Sequence, residues 1–203
     1  ALAVAVLSLA TAVAIGLWLV SARGAVLLPL GLAGVILIVA YTSFITHHPY
    51  ACLVAPGLGF GPLMVVGTHI AVAGRYDTAA GVAALVPFFL VSALLLLNQF
   101  PDAEADRQVG RRHLPIAWGR PRAARVFVAL YALAYLSIVV GVLVRALPWP
   151  CLLGLATLPL AIPAARDALR HADDPKSLLP AMGRNVIVNL ATPALMAVGF
   201  AVA

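Results

Sequence analysis

The fold class this sequence predicts is an all-α polytopic transmembrane bundle of about seven helices, and three observations predict it. Of 203 residues, 64% are hydrophobic and only 10% are charged, whereas a soluble domain carries roughly 25% charged residues. The chain cannot cover a globular surface with polar groups, so the lipid bilayer must act as its solvent. The apolar residues also fall in runs near the ~20 residues that a helix needs to cross the hydrocarbon core. Finally, the basic residues gather in alternate connections between those runs.

The runs lie at 2–20, 25–44, 51–73, 79–97, 123–144, 147–165 and 185–203. Only helices and closed barrels satisfy their backbone in lipid. Barrel strands would alternate apolar and polar residues over about ten positions, and these runs are apolar on every side. Leu2–Val20 has no basic segment ahead of it, so it reads as a span and not as a secretory signal. The chain starts without Met, already in mid-run, and reads as part of a larger protein. Gly57, Gly59, Gly61, Pro62, Pro159, Pro163 and Pro193 read as positions of close helix packing and kinks. His69 and Asn189 are expected to be hydrogen-bonded packing residues inside the bundle. Trp18, Trp118 and Trp149 fall near span ends, as interfacial anchors do. Cys52 and Cys151 lack metal-type spacing and read as small buried hydrophobes. Residues 1–203 hold no repeat and no soluble segment, so they read as a single transmembrane domain.

Alternating the connections across the bilayer tests the count. With Asn98–Arg122 on the cytoplasmic side, Arg107, Arg111, Arg112, Arg120, Arg122, Arg125, Arg166, Arg170, Lys176 and Arg184 share that side. Arg23, Arg75 and Arg145 fall opposite, so ten of the thirteen basic residues are inside. This is the positive-inside pattern, and it supports the orientation and the count together. The net charge of +6 is therefore a topology signal, and no nucleic-acid partner is expected. Asp102, Glu104, Asp106, Asp167, Asp173 and Asp174 lie inside and Asp77 alone lies outside, which places the chemistry at the cytoplasmic face.

The stretch Asn98–Gly119 holds three of the seven acidic residues, Asp102, Glu104 and Asp106. Asn98, Asp102 and Asp106 are spaced i, i+4, i+8 and form one polar stripe if helical. Pro101 lacks an N–H and disfavours a helical residue before it. One reconciliation ends the membrane helix near Phe100 and starts a new turn at Pro101. Either way Asp102 and Asp106 converge. Two carboxylates and an amide oxygen are hard ligands suited to Mg²⁺, which takes one or two carboxylates plus substrate phosphates. Cys is absent here and His113 lies off the stripe, which argues against zinc. Arg111 and Arg112 are placed to clamp phosphate oxygens. On spacing alone, the alternative is a solvated loop whose arginines only enforce topology.

Asn98-x-x-x-Asp102-x-x-x-Asp106, followed by Gly110-Arg111-Arg112 and Leu114-Pro-Ile-Ala-Trp-Gly119, resembles the second aspartate-rich motif of the UbiA-type intramembrane prenyltransferases. Within that family it is most similar to the menaquinone branch, the dihydroxynaphthoate polyprenyltransferases. Tyr41-Thr42, leading to Gly61-Pro62 and Gly67-Thr68, and the ending from Gly183-Arg184-Asn185-Val186 to Gly199 resemble further stretches of that branch. The resemblance implies nine membrane helices around a cavity open sideways to lipid, with the seven spans here fitting helices three to nine. It also implies an inner-membrane, multi-pass enzyme that transfers a polyprenyl group from a polyprenyl diphosphate to an aromatic acceptor. Asn98, Asp102 and Asp106 would hold Mg²⁺, Arg111 and Arg112 would bind diphosphate, and Tyr41 would face the developing allylic cation. The first aspartate motif and two helices of the family pattern are missing from these residues. The loop after Tyr41 offers His47 and His48 where a lysine or arginine is usual. The 203 residues are therefore expected to be an incomplete, inactive form.

Two other readings fit the chain less well. Phosphatidyl-alcohol transfer also uses several aspartates and Mg²⁺, but its Asp-Gly and Ala-Arg pairs are absent here. A transporter or non-catalytic membrane protein would place polar groups at the bilayer midplane, whereas these spans are nearly free of charge.

Overall fold

The computed structural model describes residues 2–203; Ala1, part of the single-domain expectation, lies outside them. Among the described residues there is no strand, and seven helical stretches are long and apolar enough to cross a membrane. The chain is a multi-pass membrane protein. The first span is α1 (Leu2–Arg23), and the second is α2 (Leu28–Ser43), entered through a short 3-10 turn at Ala25–Leu27. The third joins α3 (Pro49–Leu58) to α4 (Gly67–Ala73) through π-helical turns at Gly59–Val66. The fourth is α5 (Thr78–Gln108). A short α6 (Leu114–Trp118) leads into α7 (Arg120–Leu143). The sixth span begins as 3-10 helix at Trp149–Thr157 and continues as α8 (Leu158–Arg170), and α9 (Leu179–Ala201) ends the bundle.

Local sequence explains most of these boundaries. Asp77 caps α5 by accepting the Ala79 N–H at 2.8 Å, as short acidic side chains do at helix starts. Gly74, at φ 72°, closes α4, and only a residue without Cβ adopts that conformation at little cost. Pro56 and Pro62 each remove an N–H from the third span's ladder, and the backbone between and after them widens into the π-helical turns.

Helix α5 is central and packs against α3, the π-helical turns, α6, α7 and α9. Its Val86, Leu90, Leu96, Leu97 and Phe100 join Phe127 and Ile138 of α7, Ala161 and Ala164 of α8, and Val188 of α9 in one core. Polar groups inside it are mostly paired across helices. Tyr131 donates to Asn185 Oδ1 at 2.7 Å, and Asn189 Nδ2 donates to the Leu90 carbonyl at 2.6 Å, the interhelical bond expected of it. His69 departs from the same expectation: its Nε2 is buried without a partner among the described residues. Helices α1 and α2 stand apart from this core, and α2 buries no residue fully.

The stretch after Leu97 is the main correction to the sequence reading. Helix α5 does not end near Phe100 with a new turn at Pro101; it runs unbroken through Pro101 to Gln108. Its 31 residues span about 46 Å at 1.5 Å per residue, well beyond a hydrocarbon core of ~30 Å, so the last turns project into the headgroup region. An interior proline costs a helix about 3 kcal/mol, and outside contacts hold this one together. Phe100 and Ala103, on either side of the proline, are both buried, and Arg120 of α7 donates its Nε–H to the Phe100 carbonyl at 2.9 Å. Sequence-local rules contain neither contact.

Candidate functional site

Because α5 continues past Pro101, Asn98, Asp102 and Asp106 lie on one helical face at the end of the bundle. That face looks into a cavity of about 150 Å³. Tyr41, Thr42 and Thr46, from the end of α2 and the turn after it, line the cavity beside Cys52 of α3. Leu95 and Gln99 complete the α5 wall, and Arg111 and His113 close it from the far side. Of the six residues singled out from sequence, Tyr41, Asn98, Asp102, Asp106 and Arg111 line this cavity. Arg112 does not; its side chain is exposed and its backbone N–H bonds the Thr46 carbonyl at 2.9 Å.

A reversal at Gly110 returns the chain over α5. Gly110 sits at φ 81°, which strains any residue with a Cβ, and the Arg111 N–H then bonds the Asp106 carbonyl at 3.0 Å. This brings two side chains onto the Asp106 carboxylate. Arg111 Nη1 donates to Oδ1 at 2.8 Å, and His113 Nε2 meets Oδ2 at 3.1 Å. Asp102 makes no side-chain hydrogen bond or ion pair among the described residues, so its oxygens are free to take a ligand.

His113 is the pocket residue whose place beside Asp106 spacing arguments passed over. Its side chain is 3% exposed, and burial pushes the imidazole pKa down against the upward pull of the Asp106 hydrogen bond and charge. Its Nδ1 is buried without a partner. An imidazolium would bury an unpaired N–H there, so the neutral ring with its proton on Nε2 suits the site. The available signal was Gly110 three residues ahead, which marks a fold-back and not a continuing stripe. Cys52, buried as its sequence context suggests, also lines the pocket, as does Gln99, which spacing did not single out; Gln99 Nε2 approaches the Cys52 Sγ at 3.3 Å across 47 positions of sequence.

A second, larger cavity adjoins the first. It is an apolar groove of about 1280 Å³ between α1, α2 and the third span, lined by residues such as Leu17, Leu32, Phe60 and Leu63. Tyr41, Thr42 and Leu95 line both cavities, so the polar pocket and the groove share a boundary. Among the described residues, no cluster of three His, Cys, Asp or Glu side chains stands ready to hold a metal ion. The donors present are nonetheless oxygen atoms of two carboxylates and an amide, the set that holds Mg²⁺ when substrate phosphates supply further ligands.

These features define a polytopic membrane protein with an acidic pocket bordering an apolar groove. Residues 1–187 match the UbiA prenyltransferase family, and the chain belongs to that family. It is 30% identical over 123 residues to 1,4-dihydroxy-2-naphthoate octaprenyltransferase from Mycobacterium tuberculosis, covering 61% of this chain and 41% of that one. It is 23% identical over 141 residues to 2-carboxy-1,4-naphthoquinone phytyltransferase from Synechocystis sp., covering 70% of this chain and 46% of that one. The chain thus spans less than half the length of the curated relatives it matches. No solved structure matches it.

Proposed function

We propose that this chain forms the diphosphate-binding part of an enzyme that transfers a polyprenyl group to an aromatic acceptor of the naphthoate class. The observation that carries the reading is the shared boundary of the two cavities. A polyprenyl diphosphate is a long apolar tail ending in a multiply charged head. The groove of about 1280 Å³ suits the tail, and the pocket of about 150 Å³ with Asp102, Asp106 and Arg111 suits the head. The curated relatives' names, octaprenyl and phytyl transfer to naphthalene-derived rings, support the acceptor class.

In this mechanism the prenyl C1–oxygen bond breaks and diphosphate leaves. A π electron pair of the acceptor ring forms the new bond to C1, and that ring carbon then loses its proton, or its carboxylate as CO2, leaving the bonding pair in the ring. Asn98, Asp102 and Asp106 would hold Mg²⁺, which supplies the positive charge that stabilises the departing diphosphate. Arg111 has five N–H donors and spends one on Asp106, leaving others for phosphate oxygens. Tyr41 stands where pocket meets groove, so its ring faces the carbon that loses the diphosphate. The apolar groove walls exclude water from that carbon. One aspartate-bearing motif is present in this sequence, so binding, and not turnover, is the measurement suited to it.

Purified in detergent, the chain is expected to bind farnesyl diphosphate in a Mg²⁺-dependent manner, and Asp102→Ala is expected to abolish that binding without changing the melting temperature. Binding that ignores Mg²⁺, or that survives Asp102→Ala, would remove the basis of the reading.

We place the chain in the inner membrane, and the charge asymmetry supports an orientation with Asn98–Arg122 facing the cytoplasm. Cys52 and Cys151 are buried, so an introduced cysteine is reported against a low background. Arg112→Cys is expected to react with a membrane-impermeant maleimide only after cells are opened, whereas Arg75→Cys reacts in intact cells. The reverse pattern inverts the topology.

A further inference from the structure

We propose that His113 is a positioning residue: it fixes the Asp106 carboxylate so that its remaining lone pairs point at the metal–diphosphate site. The proposal rests on the reading of this pocket as that site. Asp106 lies two residues before the end of α5, and the partners of its carboxylate come from the chain beyond the helix. Two donors clamp it, and they differ in kind. Arg111 holds Oδ1 at 2.8 Å from a side chain 45% exposed, a long flexible group that diphosphate can draw away. His113 holds Oδ2 at 3.1 Å from a ring only 3% exposed.

The backbone makes that ring a fixed point. The His113 carbonyl accepts the N–H groups of Ile116 at 3.0 Å and Ala117 at 2.9 Å, which anchors the residue to the first turn of α6. On one side the Arg112 N–H is bonded to Thr46, and on the other Leu114 and Pro115 are buried. A single N–H on a rigid ring is also a suitable donor for this role. It holds one carboxylate oxygen and leaves the remaining lone pairs for a cation, whereas the several donors of a second guanidinium would occupy both oxygens. Fixing a ligand's rotamer before the metal arrives removes an ordering cost from binding, and such outer partners typically change metal affinity by about 10- to 100-fold.

The test is a Mg²⁺ titration of farnesyl diphosphate binding by the chain in detergent. His113→Leu removes the donor and is expected to raise the half-saturating Mg²⁺ concentration by about tenfold or more, with full binding recovered at high Mg²⁺. His113→Gln, which keeps an N–H donor on a side chain of similar reach, is expected to recover most of the loss. A residue needed only for packing would lower the melting temperature and the number of competent molecules while leaving the half-saturation point unmoved. A half-saturation point in His113→Leu indistinguishable from that of the unaltered chain overturns the proposal. If His113→Leu does not purify folded, His113→Met fills the same space without a donor and the comparison with His113→Gln is repeated. Failure of the unaltered chain to bind farnesyl diphosphate, or binding that survives Asp102→Ala, overturns the site reading beneath it. Binding lost in Asp102→Ala but with unmoved half-saturation in the His113 variants overturns the role of His113 alone.

Discussion

Asp106→Ala is expected to abolish Mg²⁺-dependent binding of farnesyl diphosphate and also to lower the melting temperature of the unliganded chain. The binding loss follows from the removal of one of two carboxylates in the pocket, which takes away half of the negative charge the chain offers Mg²⁺ there, a charge the neutral Asn98 amide does not supply. The stability loss has a separate origin. Asp106 accepts from both Arg111 and His113, and removing it strands the buried His113 Nε2–H in a ring whose Nδ1 already lacks a partner. Leaving such a buried donor unmade costs about 1–3 kcal/mol. Asp106→Asn separates the two effects. Its amide oxygen still accepts one of the two hydrogen bonds, so most of the stability is expected to remain while metal-dependent binding is lost. Asp102→Ala should lose binding and keep stability, because its side chain bonds nothing among the described residues. Ligand-free melting curves beside Mg²⁺-dependent binding curves for these three variants check the pattern. Equal melting of Asp106→Ala and Asp102→Ala would show that the carboxylate clamp contributes nothing to the fold.

How much of this was legible in the chain depends on the range over which each feature is determined. The seven spans and their sidedness are one-dimensional properties, a length of apolar residues and a location of arginines, so the runs at 79–97 and 123–144 could be placed without any tertiary contact. The face shared by Asn98, Asp102 and Asp106 follows from helical periodicity alone. The course of the chain through Pro101 does not, because it depends on Arg120 reaching back across 20 positions to the Phe100 carbonyl. His113 was read as lying off the stripe because its place beside Asp106 requires the chain to reverse at Gly110. The Arg112 N–H bond to Thr46 and the approach of Gln99 to Cys52 join segments whose adjacency is set only when α3 packs on α5 and the turn after α2 packs on α3. The groove is the same kind of feature: it is space left between α1, α2 and the third span, and space has no sequence signature.

That packing rests on two glycines, and Gly61→Ala is expected to destabilise the chain, as is Gly57→Ala, whose added Cβ would crowd α5 more closely still. A Cβ at Gly61 would meet the Phe88 Cβ at 2.7 Å and the Phe88 backbone nitrogen at 2.9 Å, and one at Gly57 would meet the Phe88 carbonyl and Ser92 Oγ. Backbone atoms of α5 cannot rotate away as a side-chain tip can, so the two helices must separate. Overpacking of this kind costs about 1–3 kcal/mol, and in lipid no hydrophobic drive between helices offsets it, because association there depends on close van der Waals contact. Gly183→Ala is the control. It lies within α9 with nothing within 4 Å of its added Cβ, so the gain of up to about 1 kcal/mol from replacing a helical glycine should dominate. Separation of the third span from α5 also moves Cys52 away from Gln99 and opens the pocket wall that faces Asp102. Gly61→Ala is therefore expected to weaken farnesyl diphosphate binding although it touches neither Asp102 nor Asp106. Thermal unfolding in detergent, followed by size-exclusion chromatography, gives the comparison. If Gly61→Ala melts with Gly183→Ala and binds as the unaltered chain does, the close crossing of the third span and α5 does not set the geometry of the pocket.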